Sequence, residues 1–139
     1  MASVIYSSFL RDLATGAVDA DTDSFKALLT TSSYTESKSG HSKRSSVTNE
    51  VSGTGYTAGG VACTVTVSAL DATNHRFTIT LGAVSWASST ITARKLVVYK
   101  SRGGASSADE LVACIDFGAD VTSTANTLSV AASTITIQN

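Results

Sequence analysis

The chain has 139 residues, with 10 Lys and Arg against 11 Asp and Glu, a formal net charge of -1, and 15% charged residues. That balance argues against nucleic acid as a partner, because affinity for a phosphate backbone comes from a surplus of Lys and Arg. With 42% hydrophobic residues and a mean hydropathy of +0.16, the chain is too apolar for a disordered one. Ser (22) and Thr (20) dominate and Pro is absent, a bias that predicts a single all-β domain over 1–139. A folded chain of this mass is expected to expose roughly 6,800 Å².

Ile5, Phe9, Leu10 and Leu13 recur at helical spacing ahead of Gly16, which predicts a short amphipathic helix over 3–14 closed by a C-terminal glycine. A helix that short is marginal alone, so its apolar stripe must dock on its own sheet or on a neighbouring subunit. Residues 1–16 are therefore expected as a helical arm and 17–139 as the β-domain. Asp19 to Asp23 reads as an acidic turn, and Phe25, Ala27 and Leu29 alternate as a first strand. Residues 32–46 have no apolar period and read as a long polar loop, a length that is usually functional or mobile. A helical turn is expected over Val47–Val51, followed by glycines 53, 55, 59 and 60 around Tyr56.

Val61, Cys63, Val65, Val67 and Ala69 share one face of a strand. Phe77, Ile79 and Leu81 answer it after the turn Asp71-Ala-Thr-Asn74, which predicts a hairpin with one apolar face. Trp86 falls in a connecting segment. Leu96–Tyr99 is apolar on both faces, so that strand is expected to be central. Ser101–Asp109 turns the chain back into a strand whose Leu111, Ala113, Ile115 and Phe117 point inward. Leu128 and Val130 then change parity to Ile135 and Ile137, which requires a bulge or break near Ala131–Thr134. About six or seven one-faced strands and one helix predict an antiparallel β-sandwich or jelly roll.

The N-terminal residues lack the basic and apolar regions of a signal peptide. No run approaches the roughly 18 apolar residues that span a bilayer. A soluble chain made in a cytosol, with no membrane partner, is the expectation.

Chemical motifs fail one by one. Asp19-x-Asp21-x-Asp23 opens like a calcium loop, but Ser24 and Thr30 stand where Gly and Glu are needed. Gly53-Thr-Gly55-Tyr-Thr-Ala-Gly59-Gly60 precedes a strand rather than a helix and lacks Gly-Lys-Ser/Thr, so it reads as turn chemistry rather than a phosphate loop. His41 and His75 have no metal-ligand spacing around them, and Cys63 and Cys114 read as buried thiols. A carboxylate pair from Glu110 and Asp116 lacks a distinguishing context, and Gly-x-Ser-x-Gly is absent. Catalytic, cofactor and metal residues are therefore assigned as none. Lys38, His41, Lys43 and Arg44 form the basic cluster, suited to a solvated loop or a protein contact. Trp86 and the four tyrosines read as core or interface residues ahead of sugar-stacking platforms.

Three stretches resemble small structural proteins of tailed bacteriophages. They are Asp21-Thr-Asp-Ser-Phe-Lys-Ala-Leu-Leu29 with Ser32-Ser-Tyr-Thr35; Val47-Thr-Asn-Glu-Val-Ser-Gly-Thr-Gly-Tyr-Thr-Ala-Gly-Gly60; and Ile79-Thr-Leu-Gly-Ala-Val-Ser-Trp86 with Ile91-Thr-Ala-Arg-Lys-Leu-Val-Val-Tyr-Lys100. The chain looks most like the capsid cement, or decoration, proteins of short-tailed phages of the Bordetella-phage type. The resemblance implies a jelly-roll protein without catalytic residues, carried on the capsid exterior, that clamps neighbouring major capsid subunits and associates with itself. On that expectation Ile5, Phe9 and Leu13 of the helix and Lys38, Lys43 and Arg44 of the loop are the partner-contact candidates. A phage tail, baseplate or adhesin module and a carbohydrate-binding β-sandwich are the alternatives.

Overall fold

A computed structural model describes residues 3–139, so residues 1 and 2 of the expected arm lie outside it. Strands are β1 (Val4–Ile5), β2 (Phe25–Thr30), β3 (Val61–Cys63), β4 (Val65–Val67), β5 (Arg76–Leu81), β6 (Val84–Lys100), β7 (Leu111–Val130) and β8 (Ser133–Gln138); the helix is α1 (Ser7–Thr15). All pairings between these strands are antiparallel, in one sheet ordered β1-β7-β6-β2-β3 and another ordered β4-β5-β8. Half of the chain is strand, and one apolar cluster draws on both sheets through Leu29, Ile79, Trp86, Leu96 and Ile135. The all-β expectation holds and a sandwich fits it; the strand orders do not establish a jelly roll. The accessible surface is 6994 Å².

The backbone of the fold is one long ribbon. β6 and β7 pair from Tyr99↔Leu111 back to Val84↔Val130, and β5 and β8 continue from Leu81↔Ser133 to Arg76↔Gln138. At the corner, residues 82–83 face residues 131–132, so the register is the same on both sides. Gly82 donates its N–H to the Thr64 carbonyl at 2.7 Å, and a Cβ there would meet the same oxygen at 2.7 Å. The expected break after Val130 is this corner, where the chain leaves one sheet for the other. Trp86, expected in a connection, is instead a core residue of β6, 3% exposed.

The strand expected over Val61–Ala69 is divided. β3 pairs with β2 in the larger sheet, whereas β4 pairs with β5 in the smaller one, and Thr64 is the crossing point. Alternation is preserved across the crossing, which is why the sequence reads as one strand. The hairpin β4–β5 itself is as expected, and Asp71 caps its turn by accepting N–H bonds from Thr73 and Asn74, both at 3.2 Å.

Leu96–Tyr99 is central, with β2 and β7 on either side and both faces buried. A register shift between Val98 and Tyr99 makes Val112 the extra residue. Leu111 therefore leaves the face of Ala113 and joins Leu28, Val97, Tyr99 and Cys114 on the opposite side. That second face is covered by Tyr6, Tyr34 and Val47, from the N-terminal segment and the loop after β2.

α1 is a docked part of the domain rather than a free arm. Ile5 is in β1, paired with Ala113, and Phe9 is 1% exposed within the main core. The backbone N–H of Ser7, unpaired within the helix, is taken by the Lys38 carbonyl at 2.9 Å, and Gly16 ends the helix at φ 79°. The helical turn expected over Val47–Val51 lies earlier, as a 3₁₀ turn at Arg44–Ser46; the chain then passes through Asn49 at φ 57° to the bridge Thr30↔Glu50.

Candidate functional site

The six contact candidates divide sharply. Phe9 is enclosed by its own domain, while Ile5 and Leu13 are half-buried against the same core. Leu10, adjacent in the helix, is the exposed apolar side chain at 50%. Lys43 lies 3.4 Å from Glu110, and Arg44 donates to Asp109 at 2.8 Å with its guanidinium 5.0 Å over the Tyr99 ring. Both are thus engaged within the chain; Lys38 is exposed.

These contacts belong to an ion-pair network at the β6–β7 turn. Arg102 grips Glu110 through Nε (3.0 and 3.1 Å) and Nη2 (2.5 Å), and Lys100 meets Asp23 at 2.7 Å. Burial pushes the Glu110 carboxyl up, but the Arg102 hydrogen bonds and the nearby Lys43 charge outweigh it and hold the group below the usual carboxylate range. Asp116 is also held low, burial being outweighed by the Gly118 N–H and Arg94. Glu110 and Asp116 thus belong to separate ion pairs, and neither is held protonated as a general acid requires.

Under the loop lies a network that sequence reading missed. The Lys95 ammonium and the Glu36 carboxylate, each 4% exposed, form an ion pair, and Lys95 also donates to the Tyr34 carbonyl at 2.7 Å. Tyr34 shares a 2.8 Å hydroxyl contact with Tyr6 and a 3.0 Å contact with His41 Nδ1. Burial pushes the Tyr34 hydroxyl up to about 12. His41 Nδ1 also receives the Ser37 N–H at 3.3 Å, so this histidine anchors the loop. The one available signal was parity: Lys95 stands on the same face of β6 as Val97 and Tyr99. Glu36, in a loop without periodicity, gave none.

The remaining motifs have structural partners. Asp19 Oδ1 accepts N–H bonds from Asp21 and Thr22, and Asp23 accepts one from Asp19. No group of three or more His, Cys, Asp or Glu is placed to hold a metal among the described residues. In the glycine loop, Tyr56 donates to Glu50 at 2.7 Å and accepts from the Leu29 N–H at 3.0 Å, fastening the loop to β2. Gly60, at φ 77°, is required there: a Cβ would lie 1.8 Å from the Ala27 carbonyl oxygen. Cys63 and Cys114 are free and buried; burial raises both thiols, Cys114 to about 12. Trp86 packs 5.9 Å from Tyr56; Trp86, Tyr6, Tyr34 and Tyr99 are buried and Tyr56 is half-buried.

What faces outward is hydroxyl. On the half of the ribbon beyond Ala93, Ser85, Thr90, Thr92, Thr122, Thr124 and Thr127 are all exposed. Thr92 and Thr122 hydroxyls meet at 3.1 Å, and Ser89 and Ser123 meet at 2.7 Å beneath them. A shallow hollow of about 400 Å³ runs between this surface and residues 50–52, with Glu50 as its one acidic side chain. Apart from Glu50, such a surface offers hydroxyls that donate and accept hydrogen bonds.

The chain matches no family model, no curated protein and no solved structure. No helix among the described residues is long and apolar enough to cross a membrane.

Proposed function

We propose that the chain is a non-enzymatic virion protein that cements a phage capsid from outside, binding neighbouring major capsid subunits and itself. One observation carries the reading: the cations at the ribbon turn are paired internally, while the far half of the ribbon presents hydroxyls and a shallow hollow. Contacts made by hydroxyls are wet and nearly free of buried charge. With a net charge of -1, many copies crowd on one shell with little mutual repulsion. Weak contacts repeated around a shell then sum by multivalency.

The contact surface in this reading moves from the helix and basic loop to the hydroxyl face of β6 and β7. Quantitative mass spectrometry of purified virions tests the assignment. A copy number near that of the major capsid protein supports cement, a much smaller one transfers the chain to the tail, and absence from virions removes the reading. Thr92→Lys with Thr122→Lys should abolish co-sedimentation with capsids without altering the circular dichroism; undiminished co-sedimentation would move the contact elsewhere.

A further inference from the structure

Edge strands expose unpaired backbone N–H and C=O groups, and natural sheets defend them by brevity, bulges, charges or proline. The edges here differ in that respect. β1, β3 and β4 have two or three residues each. The stretch of β7 beyond Val121 is broken by register shifts and by Ala125 at φ 46°. β8 has neither defence. It pairs with β5 over Ser133–Gln138 without a shift, and among the described residues no strand lies on its other side. Residues 121–139 contain no Asp, Glu, Lys, Arg or Pro.

The groups that point outward can be named. Asn139 donates its N–H to the His75 carbonyl at 3.3 Å. Antiparallel alternation then turns the backbone groups of Ile135 and Ile137 toward β5 and those of Thr134, Thr136 and Gln138 away from it. Those three side chains are exposed as well. Beside this edge, Thr134 and Ile135 share a cleft of about 280 Å³ with Val4, Ile5 and Ile115, so the two layers are incompletely filled along it.

We propose that β8 is a self-association edge: two copies join β8 to β8, antiparallel about a two-fold axis, into one sheet ordered β4-β5-β8-β8-β5-β4. Charge selects the occupant. Two-fold antiparallel pairing sets side chains near the axis beside their own copies, so any charge there meets its like. This edge has none, and a foreign strand finds no charge on it to recognise. With Thr136 at the axis, Thr136 faces Thr136 and Thr134 faces Gln138 of the second copy, pairs that hydrogen-bond across strands. The inference supplies a surface for the self-contact proposed above and does not require capsid binding.

Sedimentation equilibrium of the full chain over a concentration series is the test. The expected result is a monomer–dimer equilibrium. Thr136→Pro removes an outward N–H that the β5–β8 ladder does not use. Thr136→Lys opposes two ammonium groups at the axis. Each is expected to weaken the dimer roughly tenfold or more with unchanged circular dichroism, and Thr136→Lys gives the answer if the proline variant unfolds. Thr66→Lys, on the opposite edge of the same sheet, should dimerise normally. A wild-type chain that stays monomeric, Thr136 variants that dimerise fully, or dissociation by Thr66→Lys would each overturn the proposal. Capsid binding by a monomeric wild type would overturn it while leaving the cement reading intact. Loss of that binding in Thr136→Pro, from a wild type that is itself monomeric, would assign the edge to a foreign strand.

Discussion

The two halves of the β6–β7 ribbon share a backbone geometry and almost nothing else. The half next to the turn is buried on both faces over Lys95 to Tyr99 of β6 and Leu111 to Cys114 of β7, under the smaller sheet and α1 on one side and the loop after β2 on the other. Its polar groups are ionic and paired: Lys95 with Glu36, Arg44 with Asp109, Arg102 with Glu110. The far half is covered on one face, and its exposed residues are mostly Ser and Thr. Where a cover excludes water, each polar group needs a dedicated protein partner. Where water remains, hydroxyls suffice and no partner has to be built. The difference lies in what covers the strands rather than in the strands themselves.

The largest expected effect comes from breaking the buried pair. Glu36→Ala strands the Lys95 ammonium and should cost about 3–5 kcal/mol in urea unfolding, whereas joint replacement by Glu36→Leu and Lys95→Met should come close to wild type. A cost from the joint replacement as large as from Glu36→Ala would show that the cover depends on charge itself. Next is the other cover: Phe9→Ala should cost about 3 kcal/mol or more, but Leu10→Ala, one residue on and half-exposed, less than about 0.5. Equal effects would return the helix to the status of an arm.

Gly60→Ala should cost about 2–3 kcal/mol or more, since a Cβ there strikes the Ala27 carbonyl oxygen at a left-handed φ. Gly103→Ala shares φ 77° and meets nothing within 4 Å, so only the backbone cost of about 1 kcal/mol is expected. Acid should act on the covered half. Glu110 and Asp116 are held below the ordinary carboxylate range, so the unfolded chain takes up protons first as pH falls. Their stabilisation is complete above that range and is lost as pH drops through it toward the folded values. Melting temperature followed against pH should show this acid limb, and Glu110→Gln should flatten it. The smallest effect belongs to the far half, where Thr122→Ala should stay within about 0.5 kcal/mol.

Particular residues mark what was legible in the sequence. Alternation in Phe25–Thr30, the central character of Leu96–Tyr99, the β4–β5 hairpin and the break after Val130 were all readable, because side-chain parity is a local property. The division of β3 from β4 was not, since a strand that crosses between sheets keeps its alternation. Leu111 was misplaced because a single extra residue, Val112, reverses parity without leaving a mark in composition. The docking of loop 32–46 rests on Tyr34 and Glu36, whose partners Tyr6 and Lys95 are distant in sequence. A stretch without periodicity therefore looked free when it is fastened at several points.

The unchanged register across the corner also sets an order of events during synthesis. β5 emerges from the ribosome long before β8, and until β8 follows it can pair only with β4. A lone hairpin of that kind is marginal in water. The smaller sheet therefore waits on translation of residues 133–138, whereas the larger one has all its strands once β7 has emerged. A released chain truncated before residue 133 should hold the five-stranded layer with α1 but not the complete smaller sheet over its inner face, the state in which a chaperone would find it.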